Sequence, residues 1–173
     1  MKKRVLIVLL IIFGLFIITG CNKNIEDNNL DKPTKEETIS NLKIGNVPVE
    51  LDMSGSFNKI SYKFPSKASS SNVGTYAIID LMDSSDLLVR VAMSIYTGKT
   101  IGDVMKGSNL SSVDAVEFNN NIWNLYEGMQ EDGKKILNYV TQESGDSYSI
   151  TFISDKNIND FVNEFMNNVV FSN

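Results

Sequence analysis

Apolar and polar residues alternate with period two through most of the chain beyond Leu42. In one run Leu87, Val89, Val91, Met93 and Ile95 face one way, while Arg90, Ser94 and Tyr96 face the other. Side chains of a strand alternate between its two faces, so this run reads as an antiparallel strand buried on one side. The same rhythm predicts strands over Thr75–Met82, Leu87–Tyr96, Ser112–Phe118, Ile122–Met129, Lys135–Gln142 and Ser147–Ser154. Earlier, Ile44, Val47, Val49 and Leu51 suggest a first extended segment, with Pro48 favouring an edge. In Phe57–Phe64, Ile60, Tyr62 and Phe64 share a face, and Pro65 ends the run. The serine-rich stretch Lys67–Gly74 reads as a loop. Asp83-Ser84-Ser85-Asp86, Asn119-Asn120-Asn121 and Ser144-Gly145-Asp146 join strands. Asp132-Gly133 is the strongest turn signal, since such a pair supplies the positive φ of a type I′ hairpin.

Two segments break the rhythm. Thr100–Gly107 predicts one or two helical turns, with Thr100 as N-cap and Asp103 three residues on, the spacing of a capping box. At the end, Ile158, Phe161, Val162, Phe165, Met166 and Val169 form an apolar stripe at helical spacing, capped by Asp155 or Asn157. Asn163, Glu164, Asn167 and Asn168 form its wet face. A stripe this continuous needs a sheet to lie on. The expected fold is therefore α+β: an antiparallel sheet of about six to eight strands with the C-terminal amphipathic helix and the short helix packed on it.

The start of the chain has a different character. Lys2-Lys3-Arg4 is followed by an aliphatic and aromatic run from Val5 to Ile18, then Ile18-Thr19-Gly20-Cys21. This resembles the signal of bacterial lipoproteins, with a basic flank, an apolar run and a lipobox ending in cysteine. The resemblance implies a signal peptide over residues 1–20, cleavage before Cys21, and a diacylglycerol on the Cys21 thiol. More than one acyl chain gives stable anchoring. The run is at the short limit for spanning a bilayer core of ~30 Å, so an uncleaved anchor is the competing reading. Loss of the three basic residues with the leader would take the net charge from −5 to −8. Anionic headgroups repel such a chain, so it should stand off the membrane. Residues 21–41 are polar and charged with few aliphatics, a flexible tether reaching roughly 25 Å. The compact domain is expected over residues 42–173. Lysine outnumbers arginine 14 to 2, the bias of AT-rich codons. With Asn22 in place of the aspartate of an inner-membrane retention signal, this points to the outer face of a low-GC Gram-positive cell membrane.

Composition narrows the chemistry. The absence of histidine excludes a Ser-His-Asp triad, a Cys-His dyad and a His-ligated metal. A single cysteine excludes an intrachain disulfide and a cysteine-clustered zinc site. The acidic balance argues against nucleic acid as a partner. No cofactor or metal site is expected. Asp80, Asp83 and Asp86, with Glu50 and Asp52, offer oxygens to calcium, but no EF-hand loop is present and a polar turn explains them. Glu127, Glu131 and Asp132 lie near one hairpin and are candidates for an acid/base pair, although exposed hairpin carboxylates ordinarily serve solvation. Ser69-Ser70-Ser71 lacks a histidine to activate it, and Ser66 with Lys67 lacks a helical Ser-x-x-Lys frame. Trp123 and Tyr126 are the candidate binding aromatics, joined nearby by Tyr139 and Tyr148. An odd spacing sends Trp123 and Tyr126 to opposite faces of their strand. One face is core. The other is an aromatic surface for peptide, glycan or protein, unless a helix covers each face. Met53, Met82 and Met93 read as core fillers.

Tyr62-Lys63-Phe64-Pro65, then a strand hairpin and a short helix, then Ile122-Trp123-Asn124-Leu125-Tyr126, three hairpin strands and a final amphipathic helix follow in order. This order resembles the PsbP-like fold, an α/β/α sandwich found in small bacterial lipoproteins, in photosystem accessory proteins and in a Ran-binding protein. The resemblance covers roughly residues 42–173 and implies a non-catalytic accessory or binding protein; no family ligand motif carries over. The expected function is a membrane-anchored binding or accessory module for an envelope protein or peptide, engaged through a sheet face or edge. The alternatives are a solute-binding lipoprotein and a carboxylate-dependent glycan hydrolase.

Overall fold

The computed structural model describes residues 41–172. Cys21, the expected leader and the expected tether up to residue 40 lie outside the described residues. The elements run β1 (Lys43–Ile44), β2 (Val47–Pro48), β3 (Met53–Phe57), β4 (Ile60–Phe64), β5 (Ser69–Val73), β6 (Tyr76–Asp83), β7 (Asp86–Tyr96), α1 (Ile101–Met105), β8 (Ser111–Phe118), β9 (Asn121–Met129), β10 (Lys135–Glu143), β11 (Asp146–Ser154), α2 (Asn159–Asn167) and β12 (Val170–Phe171). The architecture is α+β and dominated by antiparallel sheet. Seven strands form the main sheet in the order β5-β6-β7-β11-β10-β9-β8, and β12-β4-β3 form a smaller one.

The register assigns each residue of the main sheet to a face. Ala77↔Met93↔Ile150↔Tyr139↔Leu125 runs across the inner face. Ile78↔Ala92↔Thr151↔Asn138↔Tyr126 runs across the outer face, one residue out of phase. The inner face carries the core. Phe161, Val162, Phe165 and Met166 of α2 are buried, and Phe161 and Phe165 meet Phe152 edge-on at 6.4 and 5.4 Å. The small sheet shares this layer. Tyr62 stacks on Phe165 at 5.8 Å and lies so close over Gly55 that a Cβ there would be 2.7 Å from its ring. Glycine at 55 is what lets the ring lie flat across β3 and reach α2. At the other end Phe171 stacks on Trp123 at 6.0 Å and meets Tyr148 edge-on at 5.0 Å.

The segment 97–110 leaves β7 and enters β8 at the far edge of the sheet, crossing the outer face and carrying α1. Its start has the expected capping box. The Thr100 hydroxyl and backbone N–H donate to the Asp103 carboxylate at 2.7 and 3.1 Å, and the Asp103 N–H donates back to the hydroxyl at 3.2 Å. The hydroxyl and then the backbone N–H of Thr100 hold the Asp103 pKa below its ordinary value. A depressed carboxylate pKa stabilises the fold above the unfolded value near ~3.9 and loses that contribution as pH falls through the lower folded value. Asp103→Ala should therefore melt below the wild type at pH 7, with the gap closing as melts are repeated below pH ~4. The gap should be small, because the carboxylate is exposed. A gap that persists at the lowest pH would remove the carboxylate as its cause.

Several expectations are corrected. Lys67–Gly74 is not all loop: Ser69–Val73 pair with Tyr76–Asp80 as β5, closed by Gly74 at φ 60°. Serine carries little strand signal, and the pairing comes from the hairpin with β6. The first extended segment is a two-rung ladder turned at Gly45, and β3 is a separate strand. Phe57 belongs to β3, and the turn Asn58-Lys59 divides it from β4. The β9–β10 hairpin is not a type I′ turn. Only Gly133 has positive φ, Gly133 N–H donates to Gln130 O, and Gln130 N–H donates to Lys134 O, a three-residue loop. Type I′ signatures occur instead at Asn119-Asn120 and Ser144-Gly145, where both central φ values are positive. Neither Asp155 nor Asn157 is the N-cap of α2. Buried Ile158 takes that position, and Asn157 Oδ1 accepts from Asn159 N–H at 3.2 Å.

Candidate functional site

The outer face is polar where the 97–110 segment covers it. Asn138 Oδ1 accepts from Ser149 Oγ at 2.7 Å and from Thr151 Oγ1 at 3.0 Å. Its Nδ2 donates to Met105 Sδ of α1 at 3.6 Å. Asn138 and Ser149 are buried, and β10 and β11 present them as neighbours because Asn138 pairs with Thr151, two residues from Ser149. The covering segment is pinned at its start. Ser147 Oγ donates to Lys99 O at 2.6 Å, and Gly98 N–H donates to Asp146 Oδ1 at 2.9 Å. At its end Leu110 drops onto Gly128, where a Cβ would lie 2.4 Å from Leu110 Cδ2. A glycine within a strand marks such a close approach.

Beside this cover lies an open groove of about 660 Å³. Ile136, Thr151 and Ile153 form its floor. Asn109 and Leu110 form one wall, and residues 129–132 of the β9–β10 hairpin the other. The floor is apolar except for the Thr151 hydroxyl, which is committed to Asn138. On the hairpin wall, Lys134 bonds the Asp132 carboxylate through its ammonium and its backbone N–H, and these bonds hold the Asp132 pKa below its ordinary value. Glu131 lines the groove without an ion pair among the described residues. The register sets Arg90 beside Ile153, and Arg90 Nε and Nη2 make a two-pronged bond to the Asp80 oxygens, both at 2.7 Å. The groove has the chemistry to take an apolar side chain or chain segment whose basic or N–H-bearing tip meets Glu131.

The residues singled out by sequence fall into different places. Trp123 is 1% exposed and sits on the inner face against Phe171, so it offers no binding surface. Of the two aromatics the strand spacing sends to opposite faces, Trp123 is the one on the core side, covered by Phe171 of the C-terminal strand β12. Tyr126 is half-buried on the outer face. Tyr139 and Tyr148 are buried core residues, and burial raises the pKa of both phenols. Met93 is buried, whereas Met53 and Met82 are exposed and fill no core gap. The three acids of the β9–β10 hairpin divide. Glu131 and Asp132 line the groove, while Glu127 pairs with Leu137 on the inner face and bonds Lys135 at 3.1 Å.

Asp80 is held by Arg90, and Asp83 and Asp86 flank the hairpin tip. Asp52 accepts the N–H and hydroxyl of Ser66 at 2.7 and 2.6 Å, which lower its pKa. Ser66 is therefore bonded to Asp52. Among the described residues no group of three or more acidic, histidine or cysteine side chains is placed to hold a metal ion. Sequence reasoning missed Asn138, Thr151 and Leu110. Gly128, a glycine inside a strand pattern, is a signal for the close approach of Leu110 alone.

No family model matches the chain, and no curated protein matches it. A crystal structure at 1.50 Å from Bacteroides thetaiotaomicron VPI-5482 is similar over 66% of this chain, with 11% identity and a TM-score of 0.46. The match covers 46% of that protein, so the chain spans less than half of its length.

Proposed function

We propose that this chain is a lipid-anchored, extracytoplasmic binding module of a low-GC Gram-positive cell membrane, non-catalytic, with a PsbP-like domain that engages an envelope protein or peptide. The observation that carries the reading is Ile18-Thr19-Gly20-Cys21, the chain's one cysteine placed at the end of a basic and then apolar leader. The sandwich reading is supported by α1 on the outer face of the main sheet and α2 on the inner, through Met105–Asn138 and Phe165–Phe152. The binding reading is supported by the groove, whose apolar floor and open form suit a chain segment presented from outside.

The test is photo-crosslinking on intact cells with a benzophenone side chain at Gln130, on the groove wall, or at Asn163, on the exposed side of α2. The Gln130 probe should give one discrete adduct and the Asn163 probe none. Cys21→Ala should abolish fatty-acid labelling, release the protein from the membrane and remove the adduct. Retention of label and membrane location by Cys21→Ala would overturn the anchor, and absence of a Gln130 adduct would overturn the groove as the binding site.

A further inference from the structure

The two edges of the main sheet differ. At one edge, β8 carries a register shift between Ser112 and Asp114 and the carboxylates Asp114 and Glu117. Bulges and charges of this kind stop an edge strand from recruiting another strand. At the other edge, β5 pairs only with β6 among the described residues, and all five of its residues are exposed. Its sequence, Ser69-Ser70-Ser71-Asn72-Val73, has no charge and no proline, and its pairing with β6 runs without a register shift.

We propose that two copies of the chain join through β5, edge to edge and antiparallel about Ser71, merging their main sheets into one. The chain is acidic overall, so most approaches of two copies set like charges together. The β5 seam avoids this. With Ser71 opposite its own copy, Ser70 faces Asn72 and Ser69 faces Val73, with no acid in the seam. The nearest carboxylate on β6, Asp80, is neutralised by Arg90.

The outer face adds apolar cover, because Val73 is 76% exposed and lies beside Tyr76, which is 43% exposed. A second copy fits better than a foreign peptide. Strand-adding readers select peptides through pockets for alternate side chains, whereas β5 presents a flat row of small side chains that matches itself. An antiparallel two-fold pairing is also isologous, so it closes as a dimer.

The test uses the full chain in detergent micelles. Residues directly opposite in antiparallel strands have Cα atoms about 4.5–5.5 Å apart, inside the range of about 4.4–6.8 Å that a disulfide bridges. Mild oxidation should link most of Ser71→Cys into a disulfide dimer, two thiols giving up two electrons and two protons to the added oxidant. Val113→Cys on the β8 edge and the wild type, whose Cys21 sulfur is taken up by the proposed lipid anchor, should give only background. Ser71→Lys, which sets two ammonium groups opposite each other, should weaken the dimer about fivefold by sedimentation, with the melting temperature of the monomer unchanged. A wild type that stays monomeric up to its solubility limit, or equal linking of Val113→Cys and Ser71→Cys, would overturn the proposal. A strand of another protein on β5 would appear as this monomeric outcome.

Discussion

Phe152→Ala is expected to destabilise the domain more than any other single truncation, by about 4 kcal/mol. Phe152 is fully buried at the centre of the inner face. Three rings meet it nearly perpendicular: Tyr139 at 5.9 Å, Phe161 at 6.4 Å and Phe165 at 5.4 Å. Edge-to-face pairs add to the burial of each ring. The walls of the resulting cavity are themselves stiff aromatics on β10 and α2, so the site collapses poorly and the cavity cost is retained. At roughly 3 °C per kcal/mol for a domain of this size, the midpoint should fall by roughly 12 °C. Phe152→Leu keeps most of the volume and should cost under ~1.5 kcal/mol. Urea unfolding of both variants measures the difference, and amide exchange in α2 locates it. A loss under 1 kcal/mol for the alanine variant, or protection of α2 unchanged from wild type, would contradict α2 as the cover of this face.

What the sequence made legible follows from burial. A sheet with one face in the core writes a period of two, and strands β6 to β11 were readable for that reason, whereas the two-residue β12 is too short to show one. α2 was readable because only one side of it, Phe161, Val162, Phe165 and Met166, is in the core. The Thr100–Asp103 box is local, so four residues sufficed to predict it. β5 was not legible: its five residues are exposed, so no buried face imposes a period, and it exists through its ladder to β6.

Trp123 shows the limit of parity. Spacing alone separated it from Tyr126, but which of the two is buried depends on Phe171, 48 residues away in sequence. The groove was illegible for the same reason. Its floor comes from β10 and β11, one wall from the chain after α1 and the other from the β9–β10 loop. Proximity among those segments is set by the crossover over the outer face, which no local pattern encodes.

The outer-face network gives the second large effect. Asn138→Leu should cost about 3 kcal/mol, although it replaces a polar side chain with an apolar one of similar size in a buried place. Asn138 Oδ1 is the shared acceptor for the Ser149 and Thr151 hydroxyls, and Nδ2 reaches Met105. Leucine removes all three bonds and leaves the buried Ser149 hydroxyl with only the 3.4 Å contact to Thr151. A buried hydroxyl without a partner costs about 1–3 kcal/mol, while a bond to neutral sulfur contributes little. The stabilising partner change is therefore on β11, not on the helix. The triple variant Asn138→Leu with Ser149→Ala and Thr151→Val removes donors and acceptor together and should recover most of the loss, since apolar groups of matching shape replace both sides of each bond. Denaturant unfolding of the single and triple variants separates the two accounts. Recovery in the triple variant assigns the cost to unsatisfied hydroxyls, and a triple variant as unstable as the single one would assign it to a steric clash of leucine with α1.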